Sequence, residues 1–418
     1  MNRQSVAGAI INELSEKNIL VMGNGFDLYH KLPTNYKDFM DITNRLIELE
    51  QEGKMKASWL TFLLCKESPL YDKNKSIKAC FDTYQKQITN TELDVNSINT
   101  MITIAKDNIW FNYFKICMQN DIKWIDFEKE IRYVIEKFEL FFNQITEAYD
   151  ELVTEENGVL IIQEFHLKLD VQQVIDLFDF FKDKTFGKDE LTIAIKNEYT
   201  IQKNTRNGTL LMGVDENKIM NTLADQLDYF SKLFEIYIVE IINKITIDKT
   251  MMNPMIFDKI DAVISFNYTD TYKNIYNNKI ADEYIEFIHG KAGSKNIVFG
   301  INSDSHDKLE NLNENYIKFK KEYRRLRNGN LLNYKRLLDD EKAINFIFFG
   351  HSLDETDGDI LKELITWKKA HCIIYYLDDE ARDSYLINLY KFFGIDKIKE
   401  LVAENKLEFR LITDYESK

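Results

Sequence analysis

Four short polar stretches, each placed directly after an apolar run, hold residue types from which a site can be made. The first, Gly23-Asn24-Gly25-Phe26-Asp27-Leu28, sets two glycines where backbone N–H groups can come close to a phosphate. The same spacing also makes a plain tight turn, and Asp27 is an ordinary helix cap. The second, Ser265-Phe266-Asn267-Tyr268-Thr269-Asp270, offers an amide that both donates and accepts, suited to a ribose hydroxyl or to placing a water. An Asx turn is its structural alternative. The third, Ile288-His289-Gly290, ends on an imidazole, the side chain most readily poised as a general base near neutral pH. The fourth, residues 350–357, follows the run Phe346-Ile347-Phe348-Phe349: Gly350 turns the chain, Ser352 caps a helix or meets a ligand, and Asp354 or Asp357 suits ribose hydroxyls.

Other chemistry has less to stand on. His30, His166, His306 and His371 form no HxH or HExxH spacing. A phosphoesterase gathered around a metal by Asp27, His289, His351 and Asp357 lacks DxH and GDxxD spacings, so no metal is expected. Trp124 and Glu128, in WIDFEKEI at the start of a long amphipathic stretch, read as a core anchor and part of a solvated face. The basic segment 318–336 carries Lys318, Lys320, Lys321, Arg324, Arg325, Arg327, Lys335 and Arg336 among Tyr316, Phe319 and Tyr323. It reads as an amphipathic helix with buried rings and solvated charges, or alternatively as a grip for phosphates.

For the four stretches to meet, the apolar runs before them must be neighbouring strands. Residues 18–22 and 262–266 are short and continuously apolar, as parallel strands covered on both faces are. Further strands are expected at 284–288, 297–299, 345–349, 372–377 and 407–412, with helical stretches between several of them. This alternation predicts a doubly wound α/β sheet with its ligands beyond the carboxyl ends of the strands. From Phe127 through Ile131, Ile135, Phe138, Phe142 and Ile145 the spacing of threes and fours predicts a long helix, and residues 223–245 repeat it. The organisation expected is a Rossmann-like, mostly parallel α/β nucleotide-binding domain, residues 1–40 and 255–418, interrupted by a large helical insertion domain, residues 41–254.

Composition narrows the partners. The length of 418 residues exceeds one compact domain, and 44% apolar with 29% charged residues is ordinary globular usage. A balance of 54 basic against 69 acidic residues repels polyanions, which leaves nucleic acid only the basic segment 318–336 as a point of contact. Cys65, Cys80, Cys117 and Cys372 lie far apart without a CxxC pair, as expected in a reducing cytoplasm. No secretory h-region or uncharged apolar run of membrane-spanning length occurs, so no membrane is expected. The amphipathic faces of the insertion can cover the cleft, pair with a second copy in a homo-oligomer, or meet another protein.

Taken in order, GNGFDLYHKLPTNYKDF, WIDFE, FNYTDTY, IHG with the following IVFG, and FFGHSLDETD resemble the AbiH family of bacterial abortive-infection proteins, over residues 19 to about 360. Sequences of this type are in turn similar to sirtuin-like domains, including NAD hydrolases of antiphage defence. The resemblance implies an antiviral effector that binds NAD and breaks its nicotinamide–ribose bond, with a nucleotide sensor lacking catalysis as the alternative. It implies that Gly23 and Gly25 hold the dinucleotide; Asn24, Phe26 and Asp27 of the same loop are expected beside them. It further implies that Asn267 works at the nicotinamide ribose, that His289 is the base, that Ser352 lies on the adenosine side, and that a partner protein of a defence system can be involved; Gly350 and Asp357 are counted as cofactor-binding from the loop itself. Two departures matter. Thr269 stands where the sirtuin-like loop has an acid, so either Asp270 substitutes for it or the cofactor is held differently. The zinc-binding cysteines of deacylating sirtuins have no counterpart, which argues against a protein deacylase.

Overall fold

The computed structural model describes residues 16–54, 59–119, 126–147, 153–156, 159–163, 169–178, 180–186, 191–204, 210–247, 255–257, 259–276, 280–302, 314–330, 333–338 and 342–412. Strand β1 (Lys17–Met22) lies inside a six-stranded sheet with β2 (Ala262–Ser265), β3 (Ile285–Phe287), β4 (Ile344–Phe349), β5 (Ala370–Tyr376) and β6 (Leu407–Leu411). The order is β6-β5-β4-β1-β2-β3, and neighbouring strands pair in parallel. This is the 3-2-1-4-5-6 order of a Rossmann sheet, with its direction of winding reversed between β1 and β4.

The continuous apolar runs form strands because both faces of the sheet are covered. Alternate residues enter different cores: Ile19, Val21, Ile264, Phe346 and Phe348 on one face, Leu20, Met22, Val263, Ile347 and Phe349 on the other. Ile19, Leu20 and Val21 are fully buried. Each such side chain contributes about 1.5–3 kcal/mol of burial, so a polar residue within these runs is selected against on either face. The first core is closed by α6 (Gly358–Ile365) and α7 (Asp379–Ala403), through Ile360, Leu361, Leu364 and Leu389. On the second face Phe26, from the short helix α1 (Asn24–Tyr29), packs edge-on against Phe349 and Phe257.

Between β1 and β2 the chain builds a helical body around α2 (Tyr36–Gln51), α3 (Phe127–Glu147) and α4 (Glu216–Tyr237), which continues as a π turn, Ile238–Ile242. The periodic apolar positions of α3 and α4 meet there, with Phe127 stacked on Phe114 at 4.4 Å and in edge contact with Phe230. The insertion is not helical throughout. Val153–Glu156, Val159–Gln163, Phe181–Phe186 and Leu191–Ile195 form an antiparallel sheet, and Thr200–Asn204 pairs with Leu210–Val214. Apolar runs this short do not distinguish strand from helix by periodicity.

One expected strand is absent. Ile297 and Phe299 are buried in a segment without regular secondary structure, outside the sheet, where they join Ala292, Ile301, Tyr316 and Phe319 in the core of the helical body. Their apolar character comes from that contact. Among the described residues no helix is long and apolar enough to cross a membrane.

Candidate functional site

The turns after β1 and β4 are locked together by glycine. The Gly25 N–H donates to the Gly350 carbonyl at 2.7 Å, and the Gly23 N–H to that of Phe349 at 3.4 Å. Gly350 has φ +66°, and a Cβ there would lie 2.2 Å from the Phe26 nitrogen; one on Gly25 would lie 2.7 Å from the Gly350 Cα. These glycines are therefore required by backbone contact between two turns. The Gly23 and Gly25 amides expected to hold a pyrophosphate are already used within the fold.

A pocket with a cavity volume of about 150 Å3 lies beyond the carboxyl ends of β1 to β4. Of the residues expected at a site, Gly23, Asn24, Asp27, Asn267, Thr269, His289, Ser352 and Asp357 line it. Gly25, Phe26, Gly350 and Asp270 do not line it; Phe26 sits in the core, and Asp270 pairs with Lys291 at 2.8 Å.

The loop after β2 is shaped by Ser265, whose hydroxyl accepts from the Asn267 N–H at 3.1 Å. That turn leaves the Asn267 side chain 97% buried in residue terms (3% exposed) and lining the pocket. Among the described residues neither its Oδ1 nor its Nδ2 has a hydrogen-bond partner. Thr269, two residues on, donates to both oxygens of Asp27, at 2.9 and 2.8 Å, and accepts from Thr271 at 2.9 Å. Asp27 thus ties the first loop to the second, rather than capping a helix. Burial pushes its carboxyl up to about 6, against the lowering effect of Thr271 and Thr269.

His289 follows β3 and is held by its carbonyl, which accepts from the Val298 N–H at 3.0 Å. Its Nε2 faces Asp357 Oδ1 at 2.9 Å, while Nδ1 is buried with no partner among the described residues. The carboxylate neighbour assigns the ring proton to Nε2 and leaves a lone pair on Nδ1. Burial lowers the imidazole to about 4, more than Asp357 raises it. It is neutral at physiological pH. His351 is complementary: its Nδ1 accepts from the Leu353 N–H at 2.9 Å, so its Nε2 carries the hydrogen and has no hydrogen-bond partner among the described residues.

Behind His289 runs a buried chain of charges in which Asp357 was an expected site residue, while Lys321 and Glu128 were not. Lys321, fully buried at the start of α5 (Lys321–Arg327), lies 3.3 Å from Asp357 and 2.7 Å from Glu128, and donates to the Thr356 carbonyl at 2.8 Å. Burial works to raise the Asp357 carboxyl, yet Lys321 and His289 outweigh it and hold it well below the carboxylate range. Glu128 moves the other way: burial pushes it up to about 8, and Lys321 offsets this only in part. Glu128 is therefore no part of a solvated face; it enters the pocket from the first turn of α3. Trp124 lies outside the described residues.

Part of the basic segment is turned inward, while Arg327, Lys335 and Arg336 are exposed. Lys321, Arg324 and Arg325 are buried, whereas Leu326 on the same helix is 67% exposed. Arg324 pairs with Asp228 at 2.5 Å and Arg325 lies 3.8 Å from Asp359. Those charges serve intrachain acids, so they form neither a solvated face nor a grip for phosphate. Tyr316 and Phe319 are buried as expected, whereas Tyr323, on α5, is exposed. Among the described residues no group of three or more His, Cys, Asp and Glu is arranged to hold a metal ion.

Other lining residues without a distinct signal of their own are Tyr36, Tyr268, Asp126 and Phe234. Tyr36 and the neighbouring Asn35 lie at the start of α2, where the Asn35 N–H donates to Asp38 at 3.1 Å. The TNYKDF segment after the first glycine turn was the available clue to them.

Fold and pocket together define a Rossmann-ordered α/β protein with a helical insertion over the carboxyl ends of its strands. The family model for bacteriophage abortive infection AbiH matches residues 19–376, most of the chain. The chain belongs to the AbiH family, which indicates a role in abortive-infection defence against phage. No curated protein and no solved structure matches it.

Proposed function

We propose that this protein is a phage-defence effector that binds NAD and hydrolyses its nicotinamide–ribose bond, in the manner of the sirtuin-like domains its motifs resemble. One observation carries the reading: the Asn267 amide and His289 Nδ1, both buried and unpartnered among the described residues, line the same pocket. An unpaired buried polar group costs about 1–3 kcal/mol, so a fold that retains several at one place favours a ligand that pairs them.

In this reading Asn267 holds the nicotinamide ribose and the incoming water. The bond from ribose C1′ to the pyridinium nitrogen breaks, with its electron pair passing to that nitrogen. Water oxygen adds to C1′, and its proton passes to His289 Nδ1. Asp357, on the opposite ring nitrogen, fixes the tautomer and stabilises the imidazolium that forms. Glu128 and Lys321 keep Asp357 in place. Thr269, bound to Asp27, holds the second loop against the first rather than meeting the cofactor.

The test is incubation of the purified protein with NAD and chromatography for nicotinamide and ADP-ribose. Asn267→Ala and His289→Ala are each expected to slow release by about a hundredfold or more. Because His289 sits near 4, the rate is expected to stay level from pH 7 down to about 5. Binding of NAD without turnover would leave a nucleotide sensor, and an absence of nicotinamide release with phage present would end the hydrolase reading.

A further inference from the structure

The pocket that holds Asn267 and His289 is also lined by Asp27, Asp126, Glu128, Asp354 and Asp357. Asp126 and Asp354 share one cation, Lys129, at 3.4 and 2.8 Å, and Glu128 and Asp357 share another, Lys321. Asp27 is held by hydroxyls rather than by a cation. Burial holds Glu128 largely protonated at neutral pH, yet Asp27, Asp126, Asp354 and Asp357 still outnumber Lys129 and Lys321, and the lining carries negative potential.

Aromatic rings stand among these acids. Tyr36, Phe234, Phe266 and Tyr268 line the same space, with Tyr268 tilted 34° against the His289 ring and 5.1 Å from Phe234. Rings that present a face, together with nearby carboxylates, attract an organic cation. The same carboxylates repel a phosphate, and the Gly23 and Gly25 amides that might have offset this already donate to Phe349 and Gly350.

We infer that this pocket selects a cationic N-ribosylpyridinium group and leaves any phosphate or pyrophosphate of the ligand outside. The ribose hydroxyls meet Asn267, His289 Nδ1 and His351 Nε2, and the pyridinium ring lies among the tyrosines, phenylalanines and acids. This deepens the proposed function and rests on it for the identity of the ligand. It assigns recognition to the nucleoside end of NAD and none to the dinucleotide bridge.

Calorimetry on the full chain with four probes tests this: nicotinamide riboside, its uncharged dihydro form, nicotinamide mononucleotide and ADP-ribose. The riboside is expected to bind about tenfold more tightly than the dihydro form, a difference of the size a buried cation–aromatic site supplies. The 5′-phosphate of the mononucleotide is expected to give no gain. Tighter binding of the mononucleotide or ADP-ribose than of the riboside would overturn the inference, as would equal binding of the charged and uncharged ribosides or no binding of either. Should the expected order hold while NAD is never cleaved, the hydrolase reading fails and the recognition stands. Cleavage of NAD with the order reversed has the opposite meaning.

Discussion

Two walls of one pocket use their polar groups in opposite ways. Where β1 and β4 end, backbone groups are consumed by each other, with the Gly25 N–H on the Gly350 carbonyl and the glycines too closely packed to accept a Cβ. Where β2 and β3 end, the Asn267 amide and His289 Nδ1 are buried without partners among the described residues, and on the first side His351 Nε2, beyond a Gly350 that does not itself line the pocket, joins them. The glycine wall had the more familiar look of a ligand site, yet its glycines are explained by packing alone. The opposite wall is held at a cost to stability that the fold does not recover. A candidate site is therefore better recognised by hydrogen-bonding capacity that folding leaves unused than by residue type.

This comparison can be broken most forcefully through the charges that support the second wall. Lys321→Met leaves Glu128 and Asp357 buried without their cation, and a loss of about 3–5 kcal/mol is expected in urea unfolding. A variant as stable as the parent would mean that the network is not a supporting element.

On the glycine wall, Gly350→Ala forces a side chain against the Phe26 backbone at positive φ, and about 3 kcal/mol should be lost. Retained stability with lost NAD binding would reverse the assignment, making this turn part of the site.

Asp27 sharpens the contrast through pH. Its folded value, about 6, lies above the ordinary 3.8, so the native state keeps a proton that the unfolded chain releases. Its contribution is fully present below about pH 4 and is lost as pH rises through 6. Asp27→Asn keeps an acceptor for Thr269 but cannot ionise. The stability of this variant relative to the parent should therefore improve by about 2 kcal/mol between pH 4 and 7, as thermal unfolding at both values would record. A difference independent of pH would place the ionisation elsewhere.

The smallest effect on folding is expected at the residue expected to matter most for function. Asn267→Ala removes an amide that pairs with nothing described, so stability should change by less than about 1 kcal/mol, or rise slightly. Native stability with binding lost supports a ligand-directed amide; a loss as large as that at Gly350 would show that Asn267 holds the fold.

Much of the architecture was legible before any coordinates. Six of the seven apolar runs expected as strands are strands of the parallel sheet, because continuous burial on two faces leaves a pattern that composition alone reveals. The run at 297–299 misled because burial against a helical body writes the same letters as burial in a sheet. The short strands within the insertion were missed for the converse reason: they are too brief to show a period.

At the site, the chain itself specified four polar loops, their order, and an amide and an imidazole at the ends of strands. Tertiary structure alone decided which of their atoms stay unpaired. It also brought Glu128 and Lys321, far apart along the chain, to 2.7 Å behind Asp357. The reason is physical: an apolar run declares its burial locally, through the residues adjacent to it, whereas a hydrogen bond or an ion pair depends on the partner that arrives from elsewhere.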